Sequence, residues 1–240
     1  MNVVFVFAHQ DDEIAFASRI RFCVARGDRV TCLCLTDGSF AVPAAVRDAE
    51  SHRMLASLGA GELKIGGERI RDGVLVEHLD HALELVATYA GDAGEIVTLA
   101  WEGGHQDHDA AHLVAAAFAQ KRGIRCLEMP LYNGHNAIGP FFRVAHPVGG
   151  GWTSRRISWR EKFANLLLVR FYPSQRRTWL GLMPQMLMAW PRELTREADL
   201  SRAASPPHSR PLLYERRFHY PYERFAAHAA EFLRRQSLRS

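Results

Sequence analysis

The sequence predicts an α/β protein with a Rossmann-like, doubly wound and mostly parallel sheet that carries helices on both faces. Residues 2–8 form a continuous run of β-branched and aromatic side chains, which is typical of a strand covered on both faces. Further apolar runs alternate with helical patterns of roughly 10–15 residues, as in chains of β-α-β units. Polar clusters follow several of these strands, at the sheet edge where such folds bind ligands.

The order of the remaining elements follows from apolar periodicity and from turn residues. Gly27-Asp28 turns the chain from the first helix into the second strand, Pro43 suits the first turn of the second helix, and Gly59 ends that helix. The alternation continues to residue 129 and favours a layered α/β core. The predicted elements are helices at 13–26, 43–58, 77–89 and 107–121 and strands at 29–35, 63–65, 95–100 and 124–129.

Length and charge suggest one main domain with two unlike parts. With 240 residues, of which 48% are hydrophobic, the chain can bury a core without disulfides or a structural metal, and disorder is excluded as its main state. Residues 1–150 have a net charge of −6, whereas residues 151–240 have a net charge of +10. We expect a catalytic α/β core with a metal site in 1–150. Residues 151–240 are expected to form a basic, tryptophan-rich helical or irregular extension that packs on this core.

The basic extension leaves several interpretations open. Trp152, Trp159, Trp179 and Trp190 lie in it among many arginines, which suits a lid over a substrate, a membrane-surface patch or ordinary helix packing. Packing and a solvated arginine-rich surface are favoured, no nucleic-acid partner is expected, and peripheral contact with a membrane is left open. The oligomeric state cannot be inferred from the sequence.

The sequence has the features of a cytoplasmic protein. The N-terminus shows neither a basic region nor a long apolar stretch, and no apolar run approaches the roughly 18 residues of a membrane-spanning helix. The four cysteines show no metal-binding pairing and are expected to be reduced, mostly buried thiols.

Two clusters of ionisable residues follow predicted strands at the same sheet edge. Residues 9–13 hold one histidine and three carboxylates, and residues 105–108 hold two histidines and one carboxylate. Neighbouring carboxylates repel one another unless a cation neutralises them, so the clusters predict a shared metal ion. We assign His9, Asp12 and His108 as its ligands. Two imidazoles with one carboxylate suit catalytic Zn²⁺, and another divalent transition metal remains an alternative.

The other residues of the clusters suit hydrolysis. Asp11 is free to take a proton from a metal-bound water, whose pKa the ion lowers. His105 can protonate a leaving amine or stabilise an oxyanion, with Asp107 orienting its ring. A single histidine or aspartate at such a junction is more often a helix cap, but two clusters together favour metal catalysis. His112 is interpreted as structural.

The motifs identify a resemblance to the PIG-L/LmbE-like N-acetylglucosaminyl deacetylases. The family's A-H-P-D-D-E motif has its counterpart in residues 8–13 and its H-P-D-H motif in residues 105–108. The T-x-G, R-x-x-E and L-G elements of the family match residues 36–38, 47–50 and 58–59, in the same order. The resemblance covers roughly residues 2–132.

This resemblance implies a zinc-dependent hydrolase that removes the acetyl group from an N-acetylated amino sugar or sugar conjugate. The roles it implies for the two clusters are those given above, with Asp11 as general base and His105 as general acid or electrostatic catalyst. It also implies that Arg47 and Asp72 contact sugar hydroxyls. The identity of the sugar or conjugate stays open.

Some positions depart from the family pattern. Gln10 and Gln106 replace both motif prolines, which leaves every reactive side chain in place. Gly103 stands where some members have a tyrosine that polarises the acyl carbonyl, so that carbonyl would depend on zinc and His105.

Two rival functions share this class of fold. A catalytically silent carbohydrate- or metal-binding protein remains the alternative, whereas a dinucleotide enzyme is excluded because no G-x-G-x-x-G turn follows the first strand.

Overall fold

The fold is a seven-stranded, mostly parallel sheet with helices around it, as the sequence predicted. The computed structural model describes residues 1–40, 42–60, 62–138, 141–189 and 191–238, with the backbone alone over 62–68. Trp190, one of the tryptophans assigned to the extension, lies outside the described residues. The strands are β1 Asn2–Phe7, β2 Arg29–Thr36, β3 Glu62–Ile70, β4 Glu95–Leu99, β5 Arg125–Met129, β6 Tyr132–Asn133, β7 Arg143–Val144, β8 Thr153–Arg156 and β9 Arg192–Glu197.

The helices alternate with the parallel strands in the first half and cluster together in the second. Short 3-10 turns precede the first and the third helix, so the helical pattern predicted from residue 13 begins as a separate turn at Asp12–Ile14. The helices are α1 Ala17–Ala25, α2 Ala44–Ser57, α3 Leu79–Tyr89, α4 Gln106–Arg122, α5 Trp159–Leu166, α6 Arg176–Met188, α7 Leu213–Arg217 and α8 Tyr222–Ser237.

The sheet has the order β3-β2-β1-β4-β5-β9-β8, and its first five members run parallel. Val3 of β1 is level with Val30 of β2 on one side and with Glu95 of β4 on the other. The side chains of β1 from Val3 onward are fully buried because helices cover both faces of this central strand. Strand order reverses on either side of β1, which opens a crevice between the loops that follow β1 and β4.

The C-terminal part adds two strands that the sequence did not predict. β9 pairs antiparallel with β5, and β8 pairs antiparallel with β9 at the sheet edge. Their sequences, Arg-Glu-Leu-Thr-Arg-Glu and Thr-Ser-Arg-Arg, lack the apolar runs that mark the inner strands. The sheet therefore crosses the boundary predicted at residue 150, and the part expected to be helical or irregular completes the core layer.

The cysteines and helices agree with two simpler expectations. All four cysteines are free and buried. Burial raises the pKa of each thiol above its ordinary value, which keeps the thiols protonated. Within the described ranges, no helix combines the length and the apolar character needed to cross a bilayer.

Candidate active site

The two predicted clusters lie side by side at the carboxyl edge of the sheet. Residues 9–13 follow β1 and residues 105–108 follow β4, so the strand order places both loops at the crevice beside β1. Ring nitrogens of His9, His105 and His108 lie within 4.8 Å of one another. Residues almost one hundred positions apart in the chain therefore meet in a single buried cluster.

Asp12 lies between two of these histidines. Its Oδ1 is 3.2 Å from His108 Nε2, and its Oδ2 accepts a 2.9 Å hydrogen bond from the His9 peptide N–H. Burial alone would raise the pKa of this carboxyl, but the charges of His108 and His9 and their hydrogen bonds outweigh it and lower the pKa of Asp12 to about 2. Asp12 is therefore ionised at neutral pH, as a metal ligand must be.

His9 is oriented by two further carboxylates. Its Nε2 lies 3.2 Å from Asp107 Oδ2 and 3.1 Å from Asp72 Oδ1. Asp107 is itself anchored, because it accepts hydrogen bonds from the peptide N–H groups of Gly73 at 2.6 Å and Leu75 at 3.1 Å. Burial opposes protonation of His9, but the charges and hydrogen bonds of Asp72 and Asp107 raise its pKa. In the neutral ring that a metal ion requires, donation of Nε2–H to a carboxylate leaves the Nδ1 lone pair free, which is the common arrangement around a metal-binding histidine.

The structure corrects the predicted partner of Asp107. The carboxylate of Asp107 contacts His9, not His105, and the peptide N–H of Asp107 donates to His105 Nδ1 at 3.1 Å. His105 caps the N-terminus of α4 through this bond, so its ring orientation comes from the helix backbone. Asp107 therefore holds the ring of His9, whereas the sequence predicted that it would orient the ring of His105.

The same hydrogen bond assigns the tautomer of His105. Since Nδ1 accepts from the Asp107 N–H, the proton of the neutral ring resides on Nε2. Burial, together with the charges of His9 and His108, lowers the pKa of His105 to about 3 even though Asp107 opposes this shift. The residue is a neutral donor through Nε2–H. That proton disfavours His105 as a third metal ligand, although its ring belongs to the three-histidine cluster.

Asp11 is held in a conformation that few aspartates adopt. Its φ of 97° is in the left-handed region, at a cost on the order of 1–3 kcal/mol. Its carboxylate accepts a 2.8 Å hydrogen bond from Arg47 Nη2, and its peptide N–H donates to Glu13 Oε2 at 2.8 Å. Burial raises the pKa of Asp11 to about 7 against the opposing charge of Arg47. This carboxylate is a stronger base than an exposed aspartate.

Arg47 supports Asp11 from inside the protein. The buried guanidinium donates to the carbonyl oxygens of Gly38 and Gln10 as well as to Asp11. The structure thus gives Arg47 internal partners, whereas the sequence predicted contacts with sugar hydroxyls. Asp72, predicted for the same role, faces His9. The contacts of Arg47 and Asp72 with sugar hydroxyls stay predictions.

The two glutamines that replace the motif prolines connect the loops around the site. Gln10 Nε2 donates to Asp48 Oδ1 in α2 at 2.6 Å, and Gln106 Nε2 donates to the carbonyl of Gly73 at 3.2 Å. Side-chain hydrogen bonds therefore restrain both loops, where the family pattern has rigid proline rings.

His112, one turn along α4 from His108, lies outside the cluster. Its Nδ1 contacts the carbonyl of Leu99 at 3.0 Å and Glu128 at 3.1 Å. Glu128 is in turn paired with Arg196 of β9. These contacts are those of a residue that joins α4 to the sheet.

Gly103 occupies the tyrosine position of the family for a steric reason. Its φ is +70°, and a Cβ added there would lie 3.0 Å from Leu212 Cδ2 and 3.1 Å from Pro207 Cγ. The segment before α7 fills the space that a larger side chain would need. The Leu213 peptide N–H also donates to the Gly103 carbonyl at 3.0 Å, which keeps this segment in place.

Aromatic residues that sequence reasoning missed complete the site. The Tyr132 ring packs edge-on against His108 with centroids 5.2 Å apart, and the Phe218 ring packs against His105 at 4.5 Å. Burial, with the charges of Asp12 and Asp11, raises the pKa of Tyr132, so its hydroxyl stays protonated. No sequence motif indicated Tyr132 or Phe218, because both residues reach the site from the second half of the chain.

The C-terminal half also holds the loop after β1 in place. The Tyr172 hydroxyl and the Ser51 hydroxyl donate to Glu13, and Ser174 donates its peptide N–H to Glu50 at 3.0 Å. Burial raises the pKa of Glu13 although both hydroxyls oppose the shift. The predicted extension is therefore part of the support of the loop after β1.

A cavity of about 520 Å³ lies between the end of β5 and the helices α5 and α6, and none of the described cluster residues lines it. Ile14 and Leu131 line it, and each is within two residues of a site residue, Asp12 and Tyr132 respectively. Its wall is mostly apolar, with Trp179, Leu182 and Met186 on the side of α6. The volume is in the range of small-molecule sites.

The donor set fits a divalent metal ion. Nitrogen donors from His9 and His108 and an ionised carboxylate from Asp12 converge in a buried site, and this mixture of ligands is the one that Zn²⁺ accepts. The fold and this centre define an α/β protein with a metal-type histidine and carboxylate site at its topological switch point.

Comparison with known proteins agrees with this class. A model of the PIG-L family, described as GlcNAc-PI de-N-acetylase, matches residues 4–119. This match covers slightly less than half of the chain and confirms the resemblance seen in its motifs. Among curated protein sequences, none matches the chain.

Solved structures show the same fold at low sequence identity. The antimicrobial reagent A40926 pseudoaglycone deacetylase gives a TM-score of 0.64 at 17% identity, over 81% of this chain and 96% of that one. N,N'-diacetylchitobiose deacetylase from Pyrococcus horikoshii gives 0.56 at 16% identity, over 86% and 84%. The zinc-inhibited form of teicoplanin deacetylase gives 0.56 at 13% identity, over 82% and 97%.

Proposed function

We propose that this protein is a metal-dependent N-deacetylase that hydrolyses the acetamide of an amino sugar or sugar conjugate. The observation that carries the proposal is the cluster itself: His9, Asp12 and His108 converge beside Asp11, a base with a raised pKa, and a neutral donor, His105. The match to the PIG-L family model and the activities named for similar structures support the same reaction.

His9, Asp12 and His108 would hold the ion, for which zinc is our choice over other divalent metals. A bound ion of this type lowers the pKa of a coordinated water and polarises a carbonyl oxygen. Asp107 and Asp72 fix the ring of His9 by hydrogen bonding to Nε2. The anchoring of Asp107 by two peptide N–H groups makes this orientation part of the folded backbone.

Asp11 acts as the general base that removes a proton from the attacking water. Its raised pKa of about 7 strengthens it as a base at neutral pH. Arg47 keeps the carboxylate oriented and restrains the loop after β1 through two carbonyl contacts.

His105 and Tyr132 act as donors on the opposite side of the cluster. The neutral His105 stabilises the oxyanion by donating a hydrogen bond from Nε2–H, since Nδ1 is held by the helix N-terminus. The proton that Asp11 takes from the attacking water is the one that passes to the departing nitrogen. The protonated hydroxyl of Tyr132, beside His108, supplies the carbonyl-side hydrogen bond that residue 103 cannot provide.

The cavity favours a conjugate over a free monosaccharide as substrate. Its apolar lining includes Ile14 and Leu131, which lie within two residues of Asp12 and Tyr132 in the chain, and it would take a substituent that extends from the sugar. Asp72, which contacts His9, is kept as a proposed contact to a sugar hydroxyl.

Release of acetate from a panel of acetamido sugars and their conjugates tests the function. We expect acetate and a primary amine in equal amounts, loss of both after chelation, and recovery on addition of Zn²⁺. Binding of sugar without any acetate release, in protein loaded with each divalent metal in turn, would favour the catalytically silent binding protein instead.

A further inference from the structure

The helix α5 exposes an apolar stripe. Trp159, Phe163 and, in the turn just after the helix, Leu167 follow one another at intervals of four residues and so share one helix face. Their side chains are 49%, 52% and 61% exposed. The rings of Trp159 and Phe163 stack with centroids 6.1 Å apart, so the stripe is continuous.

The helix α6 exposes a second stripe while burying its opposite face. Leu180, Leu187 and Met188 are 65%, 47% and 87% exposed, whereas Trp179 and Leu182 are buried. Apolar residues therefore cover both faces of α6, although only one face packs against the protein.

A lysine joins the two stripes into one surface. Lys162 of α5 donates from Nζ to the carbonyl of Leu187 at 2.7 Å and also to the carbonyl of Ala189, and its Nζ lies 4.8 Å from the centroid of the Trp159 ring. The C-terminal end of α6 is thereby held beside α5. The resulting surface, here called the α5–α6 patch, consists of Trp159, Phe163, Leu167, Leu180, Leu187 and Met188.

The charge around the patch identifies its partner. Residues 156–189 contain six basic residues and a single acidic one, a net charge of +5. The arginines at the N-terminal ends of the two helices, Arg160, Arg176 and Arg177, are exposed. A contiguous apolar surface bordered by arginines is the pattern of helices that lie in the interface of an anionic membrane.

We propose that the α5–α6 patch docks the protein on the surface of an anionic lipid bilayer. The apolar side chains enter the headgroup region, and the surrounding arginines contact lipid phosphates and carboxylates. A second copy of the chain fits this surface less well, because a two-fold contact would bring two faces of charge +5 together. This inference does not depend on the proposed deacetylase activity.

Contacts connect the site to α6. Phe218 packs against His105, and Arg217 lies 5.4 Å from the centroid of the Phe142 ring. The Phe142 carbonyl accepts from Gln185 of α6 at 2.9 Å. A chain of contacts therefore links the cluster to one of the two helices that carry the patch.

Flotation of the full chain with lipid vesicles tests the proposal without any catalytic assay. We expect binding to vesicles of phosphatidylcholine mixed with phosphatidylserine, weak binding to phosphatidylcholine alone, and loss of binding as salt is raised. Replacing both arginines, Arg176→Gln and Arg177→Gln, should lower the partition coefficient roughly 30-fold, because each basic residue at such a surface contributes about 1 kcal/mol.

A second variant separates insertion from charge. Phe163→Ser with Met188→Ser should lower the partition coefficient roughly tenfold or more, because both side chains are exposed in solution and buried in the interface. The matched control is Leu238→Ser, which removes a side chain that is 77% exposed at the end of α8, outside the patch. This control should bind as the unchanged protein does.

Three outcomes of the vesicle experiment would overturn the proposal. These are absence of binding to the mixed vesicles at low salt, equal loss of binding in the control, and unchanged binding in both patch variants. A dimer or a nucleic-acid complex that depends on the patch, without binding to vesicles, would also overturn it by assigning the surface to another partner. Circular dichroism melts of each variant show whether lost binding follows from lost folding.

Discussion

Replacement of Asp11 by asparagine should have opposite effects on turnover and on folding stability. Asparagine has nearly the same shape, so Arg47 keeps a hydrogen-bond acceptor and its carbonyl partners at Gly38 and Gln10. The negative charge, however, disappears from a buried loop that also contains Asp12 and Glu13. We expect turnover to fall by a factor on the order of 10² or more, because no group of similar basicity replaces the carboxylate.

The stability change follows from the pKa shift in the metal-free protein. Burial raises the pKa of Asp11 from 3.8 to about 7, so the ionised carboxylate disfavours the folded state at any pH above that range. A shift of about three pKa units corresponds to at most about 4 kcal/mol. Asp11→Asn removes this penalty at pH 8. Below pH 4 the substitution changes the free energy of unfolding little, because the carboxyl is then protonated in both the folded and the unfolded state.

Urea unfolding of the metal-free protein at pH 8 and near pH 4 measures this effect, with acetate release as the parallel assay. The exposed Asp92 offers a matched control, since Asp92→Asn changes the same chemical group outside the site. Equal stability of Asp11→Asn and the unchanged protein at pH 8, or turnover within a factor of about two of the original, would refute the assignment of Asp11 as a buried base.

The remaining predictions concern ligands, donors and the glycine beside the site. Asp12→Asn should weaken zinc binding, measured by calorimetry, at least tenfold, because it removes a ligand. His105→Gln should retain zinc and lose turnover. The reverse pattern would make His105 the third ligand. Tyr132→Phe should lower kcat roughly 10- to 100-fold with little change in KM, and an unchanged kcat would exclude its donor role. Gly103→Tyr should lower the free energy of unfolding by about 2 kcal/mol or more, and so lower the melting temperature. A gain in activity without this loss of stability would contradict the steric argument.

The elements of the first half were predictable because each is determined by local pattern. The inner strands are continuous apolar runs, since helices cover both of their faces, and their order along the chain gives a doubly wound sheet. The two motif-bearing turns at residues 9–13 and 105–108 were found in the same way, because strand ends in such a sheet share one edge.

The two strands of the C-terminal half could not be recognised from their sequence. β9 is mostly charged, and Glu193, Arg196 and Glu197 are paired with residues of other segments, as in the pair of Arg196 with Glu128. Such a strand has no apolar signature, because ion pairs between distant residues take the place of hydrophobic contacts. Only the folded chain brings these charges together.

What the sequence determined by itself is the class of fold, the family and the identity of the residues that meet at the sheet edge. What the tertiary structure decided is how those residues are paired. It assigned Asp107 to His9, Arg47 to Asp11 and the helix N-terminus to His105. The reason is physical: strand order is encoded in short local patterns, whereas the partner of a buried polar group is chosen by which donors and acceptors the fold brings within about 3 Å.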